Sequence, residues 1–345
     1  MNIYDISHKT GVSTATVSRV INGSSSVSDK TRRKVLAAIE EYGYTPNVFA
    51  RGLGLNTMKT VGILCADSSD PYLAQAVYCV EEHCRKSGYD VILSCTGYDH
   101  AVKERQMESL LSKRVDAVIL VGSNYVEGSD ELNMYIAKAA KTVPVMIING
   151  SINLTNVYCT VCDDYSAMYE LTEKMIASGK KRPLYIYNSE SYSGIQKLNG
   201  FKNALTKNGI GFGDKNILFV GSRQPGGRSF PVSAVKDAVA KLAAEGHDFD
   251  CAIASDEILA VGAVKYANAA GLKIPEDFAA AGYNNFDICE CCDPELTSVD
   301  NRLDVLCDHC VSSLMTIFSG SGATIPKQTM FSGQIIERGT TDFKS

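Results

Sequence analysis

The strongest constraint on the fold of this chain is an alternation of short apolar runs and longer amphipathic stretches, which begins near residue 60. The short runs indicate buried β-strands, and the stretches with apolar residues at helical spacing indicate helices that cover them. This alternation is typical of parallel sheets with helices on both faces. Because the stretch 61–345 would be long for one such sheet, two similar lobes are predicted.

The same runs give the expected positions of individual elements. Strands are predicted at residues 61–66, 90–94, 117–121, 145–148, 184–187, 217–220, 251–254 and 278–281. Helices are predicted between them at residues 73–87, 102–111, 167–178, 194–208, 232–245 and 258–270.

The N-terminal part of the chain follows a different pattern, with three short helices separated by tight polar turns. Gly11 can supply the positive φ of the first turn. Ser13 is a good N-cap for the second helix, 14–22, and Ser28 caps a third helix that extends to residue 42. Two short helices joined by a glycine-containing turn indicate a helix-turn-helix. The predicted core residues are Val17, Val20, Ile21, Val35, Leu36 and Ile39.

Charge is divided unevenly along the chain. The whole chain has a formal net charge of −5, which taken alone would argue against a nucleic-acid partner. Residues 1–60 carry eight basic and four acidic side chains, a charge of +4, whereas residues 61–345 carry 26 basic and 35 acidic ones, a charge of −9. A small basic part joined to a large acidic one is the asymmetry expected of a nucleic-acid module linked to another domain.

The second helix has the chemistry of a DNA-reading helix. It fits a major groove, where its first residues and Arg19 would point at base edges. Small hydroxyl side chains suit phosphate contacts, which set the register on DNA without reading sequence. In a plainer reading, which these residues alone leave open, the hydroxyl groups only cap helices and Arg19 is a solvated charge.

Residues 3–53 closely resemble the DNA-binding head of the lactose-repressor (LacI/GalR) family, in the run IYDISHKTGVSTATVSRVINGSSSVSDKTRRKVLAAIEEYGYTPNVFARGL. The resemblance implies that Thr14, Ala15 and Arg19 read bases. Side-chain chemistry allows Ala15 to meet a thymine methyl and Arg19 to bond a guanine bidentately. Further positions match those that contact or approach the phosphate backbone in the family: Ser13, Thr16, Ser18, Asn22, Ser28, Thr31, Tyr44 and Asn47.

Residues 45–60 resemble the hinge helix of the family, which forms on operator DNA. Asn47 can cap this segment, and Leu53 matches the leucine that the family wedges between two base steps of the minor groove. A plain linker with an incidental leucine is the alternative. Gly52 and Gly54 flank the leucine, and each costs a helix about 0.5–1 kcal/mol relative to alanine. The hinge is therefore expected to be disordered off DNA and to become ordered on DNA more weakly than is usual in the family.

The rest of the chain resembles the effector domain of the same family, which is similar to a type I periplasmic sugar-binding protein. The fold class implied is an N-terminal all-α helix-turn-helix head plus a two-lobed α/β effector domain, periplasmic-binding-protein-like (type I). The implied domains are the head at 1–44, the hinge at 45–60 and the effector-binding and dimerisation body at 61–345. Lobe 1 is expected at about 61–161 and 294–323, and lobe 2 at about 162–293 and 324–345.

The resemblance also implies an effector site in the cleft between the lobes, where open α/β sheets bind small molecules. Eight positions match effector contacts of the family: Ser69, Tyr72, Asn149, Lys197, Ser255, Asp256, Asn284 and Asn301. Lys197 stands where arginine is frequent, Ser255 where asparagine is frequent, and Asn284 where aspartate is frequent. These changes alter the recognition chemistry, so they leave the effector open. Each residue could instead be a loop-capping or structural polar group.

The chain has twelve cysteines, with CxxC spacing at Cys159/Cys162 and at Cys307/Cys310, so metal binding and redox sensing have to be considered. A disulfide framework is not expected in a large chain without a secretion signal. Both pairs lie in apolar-periodic segments, so reduced thiols packed as small hydrophobic residues are the favoured reading, with metal binding or redox sensing as the alternative. No catalytic motif or cofactor signature is found, and neither a metal site nor an enzyme activity is predicted.

The function expected from these patterns is that of a homodimeric transcriptional regulator, most simply a repressor of metabolic genes. It would bind a pseudo-palindromic double-stranded operator and respond to a small-molecule effector, with a sugar or sugar derivative favoured. A purine or nucleoside, a metal, or a partner protein are alternatives for the controlling signal. A sugar-binding protein without a DNA role is the alternative of another class. A cytoplasmic location without membrane contact is expected from the lack of a signal peptide and of a long apolar segment.

Overall fold

The structure of the chain, a computed structural model, describes residues 2–44, 57–221 and 231–343. The chain divides into two compact units, one formed by Met1–Thr60 with Arg114–Asp116 and the other by the remaining residues. The three-helix part of the first unit, residues 2–44, is the head, and the second unit is the body. Within the described ranges, no helix is long and apolar enough to cross a membrane.

The head consists of three helices, α1 (Ile3–Thr10), α2 (Thr14–Ile21) and α3 (Asp29–Glu41). Gly11 ends α1 with φ of 65°, a left-handed conformation that glycine adopts without steric cost. Ser13 Oγ accepts the backbone N–H of Thr16 and so caps α2, and Ser28 Oγ caps α3 in the same way. Capping at these serines fixes where both helices begin, as the sequence predicted.

A small apolar core holds the three helices together. Ile6 of α1, Val17 and Val20 of α2, and Val35 of α3 are almost completely buried. Leu36 was predicted to belong to this core, and that prediction is wrong because its side chain is 47% exposed. Successive residues of a helix point in different directions, so Val35 faces the core while its neighbour faces solvent.

The body alternates strands and helices along most of its length, as the sequence predicted. Its strands are β1 (Thr60–Cys65), β2 (Asp90–Cys95), β3 (Ala117–Val121), β4 (Val145–Ile148), β5 (Val157–Cys162), β6 (Pro183–Tyr187), β7 (Ile217–Phe219), β8 (Cys251–Ala254), β9 (Ala279–Tyr283), β10 (Thr297–Asp300), β11 (Gln328–Phe331) and β12 (Gln334–Ile336). Its helices are α4 (Pro71–Lys86), α5 (His100–Ser112), α6 (Met134–Ala140), α7 (Asp164–Ala177), α8 (Tyr192–Lys207), α9 (Val232–Ala244), α10 (Glu257–Ala269) and α11 (Leu303–Ser319).

Two six-stranded sheets organise the body and define its two lobes. The first sheet has the order β2-β1-β3-β4-β5-β11, and the second has the order β7-β6-β8-β9-β10-β12. The pairings of β1, β3, β4, β5 and β11 are parallel, as are those from β7 through to β10. Strand β12 runs antiparallel to β10, so the expectation of parallel sheets is corrected for this edge strand.

The chain passes between the lobes at points that differ from the expected boundaries. Strand β10 was assigned to lobe 1 with residues 294–323, but it pairs with β9 in the second sheet. Strand β11 was assigned to lobe 2 with residues 324–345, but it pairs with β5 in the first sheet. Each of these two strands belongs to the sheet that contains its hydrogen-bonded neighbour. The last two crossings therefore lie after Asp300 and after Phe331.

Each lobe encloses its own apolar core. Helices α4 and α11 pack on the first sheet through a cluster that includes Ile63, Ile119 and Leu306. The second sheet is covered on one face by α9 and α10 and on the other by α7 and α8. Several helices begin just after a strand with an Asp or Ser cap, among them Asp70 for α4 and Asp256 for α10. The carboxyl ends of the strands and the helix N-termini therefore gather polar groups at one edge of each sheet.

Candidate functional site

The solvent face of α2 carries the residues that the sequence assigned to base reading. Ala15 and Arg19 are exposed and Thr14 is half-buried, whereas Val17 and Val20 point into the core. This division leaves one face of the helix free to enter a groove. Arg19 can offer its guanidinium fork to a guanine edge from that face.

The residues assigned to phosphate contacts stand at the two ends of α2, at the start of α3 and just after α3. Ser13 and Ser28 are exposed caps, and their hydroxyls lie 3.0 Å from those of Thr16 and Thr31. Asn22 ends α2, and its amide lies 3.4 Å from Ser18 Oγ. The half-buried members of the group are Thr16, Ser18, Asn22, Thr31 and Tyr44. Asn47 and Leu53 lie outside the described residues, as does most of the predicted hinge.

A cavity of about 540 Å³ lies between the two lobes of the body, at the carboxyl ends of their strands. Its walls come from loops after β1, β2, β3 and β4 in the first lobe and after β6, β8 and β9 in the second. A volume of this size is typical of a small-molecule site. Six of the eight residues predicted for the effector site line it: Tyr72, Asn149, Lys197, Ser255, Asp256 and Asn284.

Two predicted effector residues lie elsewhere. Ser69 is exposed, and its hydroxyl donates to Asp67 Oδ1 at 2.6 Å, an arrangement that shapes the loop after β1. Asn301 is 1% exposed and does not line the cavity, but its amide donates to Asn284 Oδ1 at 3.3 Å. Its contact with the cavity is therefore through Asn284, which stands on the wall.

Tyr72 and Asn149 form the first lobe's wall near the crossings. The Asn149 amide donates to Tyr72 Oη at 2.5 Å, and Asn149 Oδ1 accepts the backbone N–H of Cys162 at 3.3 Å. The Tyr72 ring meets Phe286 edge-on, with 6.2 Å between centroids. Burial raises the pKa of Tyr72 well above its usual value, so the phenol stays protonated and can donate to a ligand.

Lys197 lies at the opposite wall, and its ammonium group contacts other residues of the second lobe. Its Nζ donates to the carbonyl oxygen of Ser255 at 3.0 Å and lies 3.7 Å from the centroid of the Tyr283 ring. Tyr283 in turn donates to Asp164 Oδ1 at 2.7 Å. Burial raises the pKa of Asp164, and the nearby lysine opposes that shift. Lys197 is therefore held in a buried network that limits what it can offer to an anion.

Glu257 lines the cavity and was not predicted. It is 4% exposed at the first position of α10, and Asn284 Nδ2 donates to its Oε2 at 3.1 Å. Burial, and then the charge of Asp256, raises its pKa to about 8, so at neutral pH the carboxyl is mainly protonated and can donate a hydrogen bond. An acidic residue at a helix start looks in sequence like an exposed partner of the helix dipole, so no signal marked it.

A second group of lining residues was also missed, at the end of the cavity next to β2. Lys103 of α5 is 3% exposed, and its Nζ donates to the carbonyl oxygen of Asn124 at 2.6 Å and to Glu127 Oε1 at 2.7 Å. The ring of Tyr98 stands in the same region and is 46% exposed. A lysine in an amphipathic helix reads as a solvated charge, so the pattern could not reveal this group.

A direct hydrogen bond joins the lobes across the cavity. Ser123 Oγ, after β3, donates to Ser191 Oγ at 2.8 Å. Ser191 is also the N-cap of α8 and accepts the backbone N–H of Gly194. Both serines line the cavity, so the distance between them depends on how far the lobes close.

The cysteines are mostly packed in the lobes. Cys159, Cys162, Cys307 and Cys310 are all buried, and each is a free thiol. Burial is the main cause of the raised pKa of Cys310 and of Cys162, the latter to about 12. In the parts of the chain that the structure describes, no three His, Cys, Asp or Glu side chains are grouped to hold a metal ion.

Comparison with known families places both parts of the chain. The family described as "Periplasmic binding proteins and sugar binding domain of LacI family" matches residues 58–329. The family described as "Bacterial regulatory proteins, lacI family" matches residues 2–47. The two matches together are those of a DNA-binding transcriptional regulator of the LacI family rather than of an enzyme. The chain belongs to the LacI family, which confirms the resemblance and the fold class expected from the sequence.

Similar proteins agree with that assignment. An HTH-type transcriptional regulator of Lachnoclostridium phytofermentans is 47% identical over 99% of this chain and 100% of its own. The catabolite control protein A of Priestia megaterium is 30% identical over 87% of each chain. Among solved structures, the lac repressor dimer bound to operator and the anti-inducer ONPF has a TM-score of 0.83 at 22% identity, covering 99% of this chain and 98% of that one. The transcriptional regulator CelR–cellobiose complex has a TM-score of 0.70 at 24% identity, over 99% and 100%.

Proposed function

We propose that the protein binds a pseudo-palindromic operator as a homodimer, with one head on each half-site, and that it represses metabolic genes. The observation that carries this proposal is the exposed face of α2, where Ala15 and Arg19 are free while the opposite face is buried. Two-fold related heads suit two-fold related half-sites. The similar lac repressor structure is a dimer bound to operator. Because its partner is chromosomal DNA, we place the protein in the bacterial cytoplasm.

Base reading in this proposal falls to Thr14, Ala15 and Arg19. Phosphate contacts fall to the surrounding hydroxyl and amide side chains, which fix the register of the head on DNA. Leu53 would enter the minor groove and kink the operator. In that role, Leu53→Ala should lower both the operator bend angle and the operator affinity, and an unchanged bend angle would reject the wedge.

The effector is proposed to be a sugar or sugar derivative that binds in the cavity between the lobes. Hydroxyl, amide and carboxyl side chains converge there, among them Asn149, Asp256 and Asn284, and such groups donate to and accept from sugar hydroxyls. Cellobiose occupies the similar CelR complex. A nucleobase is the second candidate, because Tyr72 offers an aromatic ring and relatives at 29% identity are repressors named PurR.

Ligand binding would control DNA binding through lobe closure. A ligand held by both walls binds the closed lobes better than the open ones, and it shifts the population by that difference in affinity. Ser123 and Ser191 would meet in the closed form, as they do here. Closure would change the spacing of the two heads and with it the fit to both half-sites.

A thermal-shift screen of the purified protein tests the effector proposal. A ligand that binds the folded body raises the unfolding midpoint, and the panel should hold sugars, sugar phosphates, nucleosides and purines. Saccharides are expected to raise the midpoint. A response to purines alone would reject the sugar and support the second candidate. Operator binding tests the other half of the proposal, since a sugar-binding protein without a DNA role would select no sequence from a random pool.

A further inference from the structure

The cavity has two ends, and the second end is lined by residues that the family pattern does not mark. In the first sheet, its lining loops follow β4, β3, β1 and β2, which are four adjacent strands. Neighbouring strands are ~4.8 Å apart, so three steps carry the cavity across ~14 Å. Two substituent oxygens on opposite sides of a single sugar ring are separated by about four bond lengths of ~1.5 Å, or ~6 Å. One ring therefore leaves part of the cavity unfilled.

At the end of the cavity next to β2, the loop after β3 meets Lys103 of α5, and polar groups line this end. We call it the outer subsite and define it by Tyr98, Lys103, Asn124 and Glu127. Glu127 Oε1 accepts from Lys103, and the carboxylate has a second oxygen for a ligand. The Asn124 side-chain N–H₂ is buried and makes no hydrogen bond within the described part of the chain. A buried donor without a partner costs stability, and a ligand hydroxyl would satisfy it once the Asn124 side chain turns towards the cavity.

An aromatic ring stands at each end of the cavity. Tyr72 lies near the lobe crossings, and Tyr98 lies at the mouth next to β2, where it is 46% exposed. Tyrosine offers an apolar face beside a polar hydroxyl. A sugar ring has the matching character, with C–H groups on its faces and hydroxyls at its rim. Two such platforms, each beside amide and carboxyl groups, suit two linked rings.

The charges of the described residues around the cavity favour a neutral ligand over an anion. Five carboxyl residues and two lysines are among the described residues that line it. Lys103 is paired with Glu127, and Lys197 is held by the Ser255 carbonyl and the Tyr283 ring. A phosphate group in the cavity would lie near several carboxylates, which repel it.

Resting on the sugar effector proposed above, we infer that the effector is a neutral saccharide of at least two rings, and that Tyr98, Asn124 and Glu127 determine this specificity by binding its second ring. The inner ring would lie against Tyr72, Asn149 and Asp256. The second ring gives the ligand its hold on the far end of the first lobe, opposite Ser189 and Ser191 of the second.

Calorimetry with the full-length protein tests the inference. The probes are glucose, galactose, mannose and xylose, their homo- and heterodisaccharides including cellobiose, and the 6-phosphates of the hexoses. At least one disaccharide is expected to bind about tenfold or more tightly than its component monosaccharides and the phosphates. A monosaccharide or a sugar phosphate as the tightest ligand would overturn the inference and leave the sugar effector standing. Binding by none of the probes would contradict both.

Variants of the outer subsite assign the effect to its residues. Glu127→Gln, Asn124→Ala and Tyr98→Ala should each weaken the disaccharide by about fivefold or more, and each should change the affinity for the inner-ring monosaccharide by less than about twofold. Glu108→Gln, which removes an exposed carboxylate from α5, is the matched control and should change neither. Equal losses for both ligands, or no loss for the disaccharide in any of the three variants, would reject the subsite.

Discussion

The head and the body place their recognition residues in opposite ways. In the head, the base-reading candidates lie within six consecutive residues of one helix, Thr14 to Arg19, so a local pattern exposes them together. In the body, the cavity residues extend from Asp70 to Asn284 and meet only because parallel strands end at the same edge. A contiguous site can therefore be recognised from a sequence motif, whereas an assembled site depends on strand order.

The two sites also differ in how they hold charge. The N-terminal 60 residues carry an excess of four positive charges, and Arg19 is exposed on the reading face. The two lysines among the described lining residues are buried; Lys103 is paired with Glu127, and Lys197 donates to the Ser255 carbonyl. Affinity for DNA should therefore depend on released counterions, and affinity for the cleft ligand should not.

Salt separates the two regions most strongly. From about 50 to about 200 mM salt, operator affinity should fall by at least about a hundredfold, because bound basic groups release condensed counterions. Saccharide affinity over the same range should change by less than about twofold, because a neutral ligand carries no charge for salt to screen. Fluorescence anisotropy with an operator selected from a random pool measures the first, and calorimetry measures the second. A flat operator affinity would contradict the assignment of the head.

A buried carboxyl group in the body, that of Glu257, should make the free energy of unfolding depend on pH. Burial raises the pKa of Glu257 to about 8, so from about pH 5 to pH 8 the folded protein keeps a proton that the unfolded chain loses. The free energy of unfolding should therefore fall as pH rises through this window, by a few kcal/mol. Glu257→Gln mimics the protonated form and should flatten that slope in denaturant titrations.

The control for this prediction is Glu190→Gln, which removes an exposed carboxyl that also lines the cavity. It should leave the slope unchanged. An equal pH slope in wild type and Glu257→Gln would show that the carboxyl is ionised in the folded state at neutral pH. Among the described residues of the head, no carboxyl group is buried, so no comparable term is expected there.

Arg19 tests the head on its own. Arg19→Ala should lower operator affinity by about tenfold and relax the preference at one base pair of each half-site, because a bidentate contact to guanine discriminates by about 1–3 kcal/mol. Lys86→Ala removes a charge of the same sign from the body and is the control. A selected-sequence profile identical to that of the wild type would exclude base reading by Arg19.

Variants of Ser123 and Ser191, which bond each other across the cavity, distinguish the contribution of helix capping from that of lobe closure. Ser191→Ala removes both the cap of α8 and the bond to Ser123, so it should lower the free energy of unfolding by about 1 kcal/mol. Ser123→Ala removes the bond alone and should change stability by less than about 0.5 kcal/mol. Both should weaken saccharide binding by a similar, small factor. If only Ser191→Ala weakened saccharide binding, the loss would come from the missing helix cap and not from the missing bond between the lobes.

The sequence could predict the features of both regions that depend on neighbouring residues in the chain. The caps Ser13 and Ser28, the turn at Gly11 and the alternating elements of the body all follow from local rules, and the structure has them. The exposed Leu36 and the placement of β10 and β11 do not follow from local rules. Whether Leu36 is buried depends on which helix packs against its face, and the sheet that β10 or β11 joins depends on which strand it pairs with.

Within the cleft, the residues that matched a family pattern reached the wall in six of eight positions. Lys103, Asn124, Glu127 and Glu257 had no such match, and in isolation each looks like an ordinary surface residue. Their role emerges only once the loops after β2 and β3 and the start of α10 converge on one cavity. Burial then changes their chemistry, because it pairs Lys103 with Glu127 and raises the pKa of Glu257 to about 8.

The central claim is that occupancy of the cleft controls DNA binding by the head, and operator anisotropy with and without saccharide tests it most directly. With the tightest saccharide at saturation, operator affinity of the wild type should change by about tenfold or more. Asp256→Asn should bind the operator like the wild type and respond only at much higher saccharide concentration. An operator affinity that stays the same while calorimetry shows the cleft to be saturated would contradict the account.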